Sequence, residues 1–295
     1  MNRVIFENEY VEVKKCKWGY LSYNKFDMYI GKSLKMYGEW CEPELDLLGK
    51  YTNQDDTILD VGANIGSHTI FFAKKAFRGM VIAFEPQRLS FQMLCTNVTL
   101  NALTNVHTHQ IALGDYKGLI SVPLISPYSK FNFGGLRLEN YIEGEQTPLL
   151  EIDSMDFNRV NLIKLDVERM EVKVLKGAQR TIKKFRPILY IENNSISESP
   201  EIMEILYSLD YKCWWHIASY FNKNNYFKNK KNVFSTSYPE ANMLCIHKSF
   251  KSIPPNLIEI AGKNDSWINA TERLLKIHNG MGLNFTEQEY SIMKF

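Results

Sequence analysis

Apolar residues recur with two different periods along this chain, and the changes of period mark its elements. Short apolar runs at Thr57–Val61, Met80–Phe84, Asn161–Val167 and Pro187–Ile191 read as strands buried on both faces. Val106–Leu113 reads as one more, ending at Gly114-Asp115, and Tyr211–Ile217 and Ala241–His247 are the last two strand candidates. Between the runs the spacing turns helical. Ser67–Lys75 follows the first strand, and Gln87–Leu100 follows the second with Phe91, Leu94 and Val98 on one face. Glu171–Lys184 carries the same stripe through Val174, Leu175, Ala178 and Ile182. Ser199-Pro200 opens a helix as cap and first-turn residue, with Ile202, Ile205, Leu206 and Leu209 as its buried side. Regular strand–helix alternation predicts an α/β fold, a mostly parallel sheet covered by helices on both faces.

The flanks follow other rules. In residues 1–50, Val4–Phe6 and Tyr10–Val13 read as short strands, Tyr37-Gly38-Glu39-Trp40 as a turn and Glu42–Leu48 as a helix, together a cap on the core. Residues 116–150 interrupt the alternation with Pro123, Pro127, Tyr128, Phe131, Phe133 and Gly134-Gly135, an excursion over a ligand mouth with an aromatic wall. Asn222–Asn232 is rich in Asn and Lys and predicts an exposed loop. Helices are expected near Trp267–Ile277 and Thr286–Met293. The division is therefore a cap at 1–50, a core domain at 51–248 and a helical extension at 249–295, which either closes over the core or pairs two copies in a homodimer.

The chemistry concentrates where strands end. Thr57–His68 reads TILDVGANIGSH, a strand running through a small-residue turn into a helix, and 25 residues after Asp60 the next strand ends at Glu85. Turn glycines let backbone amides approach a ligand, and an acid ending the second strand can accept both ribose hydroxyls. The turn, Gly62-Ala63-Asn64-Ile65-Gly66, lacks the dinucleotide GxGxxG, so adenosine without a pyrophosphate fits it best. S-adenosylmethionine meets that description, with contacts from the turn through His68, from Glu85, and from Tyr37, Glu39 or Asp115. Aromatic faces at Tyr37 and Trp40 suit its sulfonium. The structural alternatives are that Asp60 caps the helix and that Glu85 solvates a strand end.

Composition narrows the alternatives. With 295 residues, 45% hydrophobic and 23% charged, the chain can bury a substantial core. A formal charge of +2 gives no sign of a nucleic-acid partner. Five cysteines without a CxxC pair favour a reducing compartment, and neither a signal-peptide core nor a bilayer-length apolar run is present in the sequence, so a cytoplasmic protein is expected.

The ordered series ILDVGANIGSHTIFFA, VIAFEP, IALGD, LIKLDVERMEVKVLKGA and RPILYIENN resembles the FkbM family of S-adenosylmethionine-dependent methyltransferases over roughly residues 37–248. The resemblance implies a Rossmann-like seven-strand methyltransferase core and O-methylation of a hydroxyl on a sugar, glycoconjugate or glycolipid precursor. Asp60, Gly62, Asn64 and Gly66 match the family's cofactor turn, and Glu85 its ribose-binding acid. The segment Leu165-Asp166-Val167-Glu168 would border methyl transfer, although Arg169 stands where a glycine is commoner. Asp166, Glu192 and His216 are the candidates to remove the hydroxyl proton, or to meet around a divalent metal that does so. His107 and His109 share a strand face without a zinc framework. A nucleic-acid methyltransferase, an NAD-dependent small-molecule oxidoreductase and a noncatalytic nucleotide-binding scaffold are the competing readings.

Overall fold

The structure, a computed structural model, describes residues 3–138, 141–251 and 253–280, with the backbone alone over 274–280. The chain begins β1 (Val4–Glu7), β2 (Val11–Cys16), β3 (Gly19–Asn24), α1 (Ile30–Tyr37), α2 (Glu42–Leu48). The first half of the core is β4 (Thr57–Val61), α3 (Ser67–Lys75), β5 (Met80–Phe84), α4 (Arg88–Leu100), β6 (Val106–His109). An excursion holds β7 (Ala112–Leu113), β8 (Gly118–Val122) and β9 (Glu145–Leu150). The second half is β10 (Leu162–Leu165), α5 (Glu171–Lys176), α6 (Gln179–Phe185), β11 (Ile188–Glu192), α7 (Ser199–Ser208), β12 (Tyr211–Ala218) and β13 (Glu240–His247), followed by β14 (Ile258–Glu259) and α8 (Trp267–Gly280).

The central sheet has eight strands in the order β14-β12-β13-β11-β10-β4-β5-β6. From β11 through β6 every pairing is parallel, while β13 runs against both β11 and β12. The sheet is therefore mixed, with β13 reversed inside it and the two-residue β14 added at an edge. Because side chains alternate across a strand, neighbouring residues feed different layers. Leu59, Val61, Ile163, Leu165 and Ile191 pack with Val174, Ile182 and Leu206 on one face. Ile58, Val81, Leu162 and Tyr190 pack with Leu45, Leu48, Phe71 and Phe72 on the other.

Several expected elements change shape. Val106–Leu113 is not one strand, since β7 leaves the main sheet to pair with β9 in a three-stranded sheet. Glu171–Lys184 breaks at Gly177 into two helices, and Glu198 rather than Ser199 caps α7. The cap contains a third strand, β3, and the helix α1, which ends where a turn at Tyr37–Trp40 was expected. Asn222–Asn232 is a loop, exposed at Lys223, Asn224, Lys228, Lys230 and Lys231 as expected, but it is pinned to the residues before the core. Asn222 donates to Glu39 Oε1 at 2.8 Å, the Tyr226 amide to Glu39 Oε2 at 2.8 Å, and Asn225 is buried. Its asparagines supply amides and carbonyls that satisfy the irregular backbone, as Asn225 does for Asn229. The segment Thr286–Met293 lies outside the described residues.

Asn97 of α4 joins cap to core. Its Oδ1 accepts from the Ser22 amide at 2.6 Å and the Ser22 hydroxyl at 2.8 Å, and its Nδ2 donates to the carbonyls of Ser22 at 3.0 Å and Ile65 at 2.8 Å. The residue is fully buried, so Asn97→Ala strands several polar groups at about 1–3 kcal/mol each. Urea unfolding of the variant should show a loss of at least about 2 kcal/mol; a loss below about 0.5 kcal/mol would mean that the cap does not depend on this residue.

Candidate functional site

The turn after β4 is built around two close backbone approaches. Gly62 has φ +78°, and a Cβ there would stand 1.7 Å from the Asp166 carbonyl oxygen, so β4 and β10 can meet at this point only through a glycine. Gly66, at φ +85°, caps α3, and a Cβ on it would press Leu94 at 2.6 Å. Glu85 closes the turn from β5. Its Oε2 accepts from the Asn64 amide and its Oε1 from the Gln87 amide, both at 2.8 Å. Burial pushes the Glu85 carboxyl up to about 7 in spite of these two donors.

A cleft opens over this turn at the C-terminal ends of β4, β5, β10 and β11, where ligands bind in open α/β sheets. It is lined by Gly62, Asn64, Glu85, Gln87 and Leu113. It is lined as well by His68, Lys164, Asp166, Glu168, Glu192 and Glu240, with Tyr29, Trp40, Phe133 and Tyr220 contributing rings. Trp40 stacks on Tyr220 with centroids 5.3 Å apart. The excursion supplies Asn132–Leu136 to the wall and is tied to the cap where the Met28 amide donates to the Phe131 carbonyl at 3.0 Å.

Lys164 is the buried cation of this region. Its Nζ lies 3.1 Å from Asp166 Oδ2, 3.7 Å from Asp60 Oδ1 and 3.2 Å from the Gly62 carbonyl. Burial opposes its charge, but Asp166 and Asp60 outweigh burial and hold its pKa above the ordinary lysine value. The carboxylates outnumber it. Burial, reinforced by Asp166 and by one another, raises Glu168, Glu192 and Glu240, the last being pushed up to about 8 by burial and then Glu44. Carboxylate oxygens of Asp166, Glu168 and Glu192 come within 4.8 Å of one another, a donor set chemically suited to a hard divalent cation. Glu168 and Arg169 both have positive φ, +51° and +82°. Arg169 thus occupies a glycine-favouring conformation, held by a 2.6 Å bond from its guanidinium to Ser195 Oγ.

Of the residues singled out from the sequence, Gly62, Asn64, His68, Glu85, Asp166 and Glu192 line the cleft together. Asp60 and Gly66 stand beneath it. Asp60 is fully buried, accepts from Thr69 Oγ1 at 2.6 Å and faces Lys164. Tyr37, Glu39, Asp115 and His216 are not among the lining residues. The Tyr37 hydroxyl is held by the Lys231 carbonyl and the Val233 amide, and Glu39 by Asn222 and Tyr226, so both anchor the 222–233 strap. Asp115 is exposed beyond β7. His216 bonds Tyr190 through Nδ1 at 2.7 Å, and burial pulls it down to about 4. Glu168, not His216, completes the acidic trio. Sequence patterning missed Lys164, Gln87, Tyr220 and Glu240; a lysine inside the otherwise apolar run LIKL was the one available signal.

The Methyltransferase FkbM domain matches residues 60–213 of this chain. The chain belongs to the FkbM methyltransferase family. It is 25% identical over 180 residues to Methyltransferase 1 of Beauveria bassiana, covering 52% of this chain and 72% of that one. It is 32% identical over 135 residues to the hexuronic acid methyltransferase AglP of Haloferax volcanii, covering 44% of this chain and 53% of that one. The crystal structure of the methyltransferase FkbM from Methylobacillus flagellatus is similar at 19% identity and a TM-score of 0.46, over 65% of this chain and 44% of the other.

Methyltransferases of the FkbM family use S-adenosylmethionine, and the cleft has the groups to hold it. Glu85 offers a carboxylate to ribose, and Gln87 Nε2 is buried without a hydrogen-bond partner among the described residues, a donor suited to a nucleoside acceptor. The carboxylates suit a sulfonium cation. Without such a cation, Glu44, Glu85 and Glu240 have folded pKa values of about 8, 7 and 8, above the ordinary carboxylate value. Their stabilising contribution is then complete below the ordinary range and lost as pH rises through about 7–8. Cofactor-free protein should lose unfolding free energy between pH 6 and pH 9 in urea titrations; stability flat or rising over that interval would contradict this electrostatic description.

Proposed function

We propose that this FkbM-family chain methylates a hydroxyl of a sugar, glycoconjugate or glycolipid precursor. One observation carries the reading: the cleft lined by the glycine turn and Glu85 is also lined by four carboxylates, Asp166, Glu168, Glu192 and Glu240, and four aromatic rings, Tyr29, Trp40, Phe133 and Tyr220. Rings offer apolar faces to sugar C–H surfaces, and carboxylates accept from the hydroxyls around the sugar edge. The similarity to a protein named a hexuronic acid methyltransferase supports a saccharide acceptor.

Bound S-adenosylmethionine supplies a methyl carbon activated by its positively charged sulfur. The chain's own residues provide placement. Glu85 receives the ribose hydroxyls, Asn64 and Gln87 fix the Glu85 carboxylate, and the other cleft carboxylates face the positive charge. Asp166 and Glu192 orient the acceptor hydroxyl, and the 132–138 segment with Trp40 and Tyr220 limits water. Holding acceptor oxygen and methyl carbon in line removes most of the entropy cost of their meeting.

Glu85→Gln should weaken S-adenosylmethionine binding by about 10- to 100-fold in isothermal titration, the loss expected of a charged hydrogen bond. Asp166→Asn and Glu192→Gln should lower turnover more than they lower cofactor binding. A panel of neutral glycans, glycolipids and RNA incubated with methyl-labelled cofactor tests the acceptor class. Label on a glycan hydroxyl supports the proposal, and label confined to RNA overturns it.

A further inference from the structure

His68 and Glu44 form a pair at the wall of the cleft that the family resemblance does not assign. His68 is the second residue of α3, is 5% exposed and lines the cleft. Its Nε2 lies 3.1 Å from Glu44 Oε2, across from α2. Glu44 is likewise 5% exposed, and its second oxygen accepts from Asn242 Nδ2 of β13 at 2.9 Å. The carboxylate is therefore fixed from two sides. His68 Nδ1 makes no hydrogen bond among the described residues. A buried imidazole with one nitrogen held by an oriented carboxylate and the other left bare beside a reactive cleft is the arrangement of a general base.

We propose that His68, oriented by Glu44, removes the proton from the acceptor hydroxyl, and that Glu44 acts as the positioning residue. The inference rests on hydroxyl methylation being the reaction. As the hydroxyl proton passes to His68 Nδ1, the acceptor oxygen forms a bond to the methyl carbon. The carbon–sulfur bond breaks with its electron pair left on sulfur, and the imidazolium returns its proton to water after product leaves. The sequence position of His68, just past the glycine turn, had suggested a cofactor contact. The contact with Glu44 engages Nε2 and leaves Nδ1 for the acceptor in this proposal.

The charged surroundings set the pH at which the base exists. Lys164 on β10, Asp60 on β4 and Asp166 beyond β10 face His68, while Glu44 faces Asp166, Lys164, Cys41 and Asn242, with Glu240 and Tyr190 beside it. Burial lowers His68 to about 4 and raises Glu44 to about 8. Below that upper value Glu44 is protonated and donates to Nε2, so Nδ1 carries the ring hydrogen and cannot act. Loss of one proton from the pair moves the ring hydrogen to Nε2, donated to the carboxylate, and frees the lone pair on Nδ1. Activity should accordingly rise with pH through about 8.

Two variants and two kinds of readout test this. His68→Gln should lower kcat by about 10²- to 10⁴-fold while the S-adenosylmethionine Kd changes by less than about threefold. Glu44→Gln should accept from Asn242 and donate to His68, fixing the ring hydrogen on Nδ1; kcat should fall and the alkaline rise disappear. In cofactor-free protein at pH 9, nitrogen-15 spectra should place the His68 ring hydrogen on Nε2 in the wild type and on Nδ1 in Glu44→Gln. A His68→Gln enzyme within about threefold of wild-type kcat, an unmoved pH profile in Glu44→Gln, or the same tautomer in both proteins would overturn the dyad while leaving hydroxyl methylation intact. Wild-type protein that binds cofactor but methylates only nitrogen or carbon would overturn the hydroxyl reading, and the proton-removal role with it.

Discussion

A single buried ammonium organises the centre of this molecule. Lys164 projects from the middle of β10 and meets Asp60 of β4, the Gly62 carbonyl and Asp166. Taking a lysine and an aspartate out of water is costly, and the cost is recovered only where geometry is good and neighbouring groups complete the shell. Here the turn supplies part of that shell, and Asp60 Oδ1, which has no hydrogen-bond partner among the described residues, meets Lys164 through charge alone at 3.7 Å. The Thr69 hydroxyl holds the other oxygen of Asp60, and the Gly62 carbonyl takes part of the lysine's charge. The pair thus locks the glycine turn to the end of the neighbouring strand at the point where Gly62 meets the Asp166 carbonyl. The glycine turn, Glu85 and the carboxylates of the cleft are thereby carried on adjoining strands.

From that arrangement the electrostatics of the cleft follow. Lys164 faces Asp166, Asp60 and Glu44, while Glu168, Glu192 and Glu240 are raised by burial and by neighbouring carboxylates. A site of this kind gains from a positive guest, because a cation relieves both the burial cost and the mutual repulsion. The cap and the two irregular segments complete the enclosure. Asn97 fixes the cap to α4, Glu39 fixes the 222–233 strap to the cap, and the strap's neighbour Tyr220 stacks on Trp40 at the cleft wall.

The strand ends were the most legible part of the sequence. Thr57–Val61 and Met80–Phe84 are neighbouring parallel strands, and the loop glycines and Glu85 meet where the motif implied. This succeeds because short apolar runs and turn chemistry are local signals. Residues acting through tertiary contact were another matter. Tyr37 and Glu39 had the right chemistry for a cofactor, but their polar atoms are taken by a strap nearly 200 positions away. His216 had the right titration range but lies behind Tyr190. Glu44 and Glu240 carried no motif at all; only the folding of α2 against α3 and the pairing of β13 with β11 and β12 give them their surroundings. The eighth strand and the reversal of β13 likewise depend on pairing, which apolar period does not encode.

The most direct measurement is a crystal structure of the chain with S-adenosylhomocysteine, the demethylated product of the cofactor. Ribose hydroxyls should lie on the Glu85 carboxylate, the nucleoside beside Gln87, and the sulfur toward His68, Asp166 and Glu192. Product bound outside the cleft, or lying in it with the sulfur at Glu85 and Gln87, would contradict this placement of the cofactor.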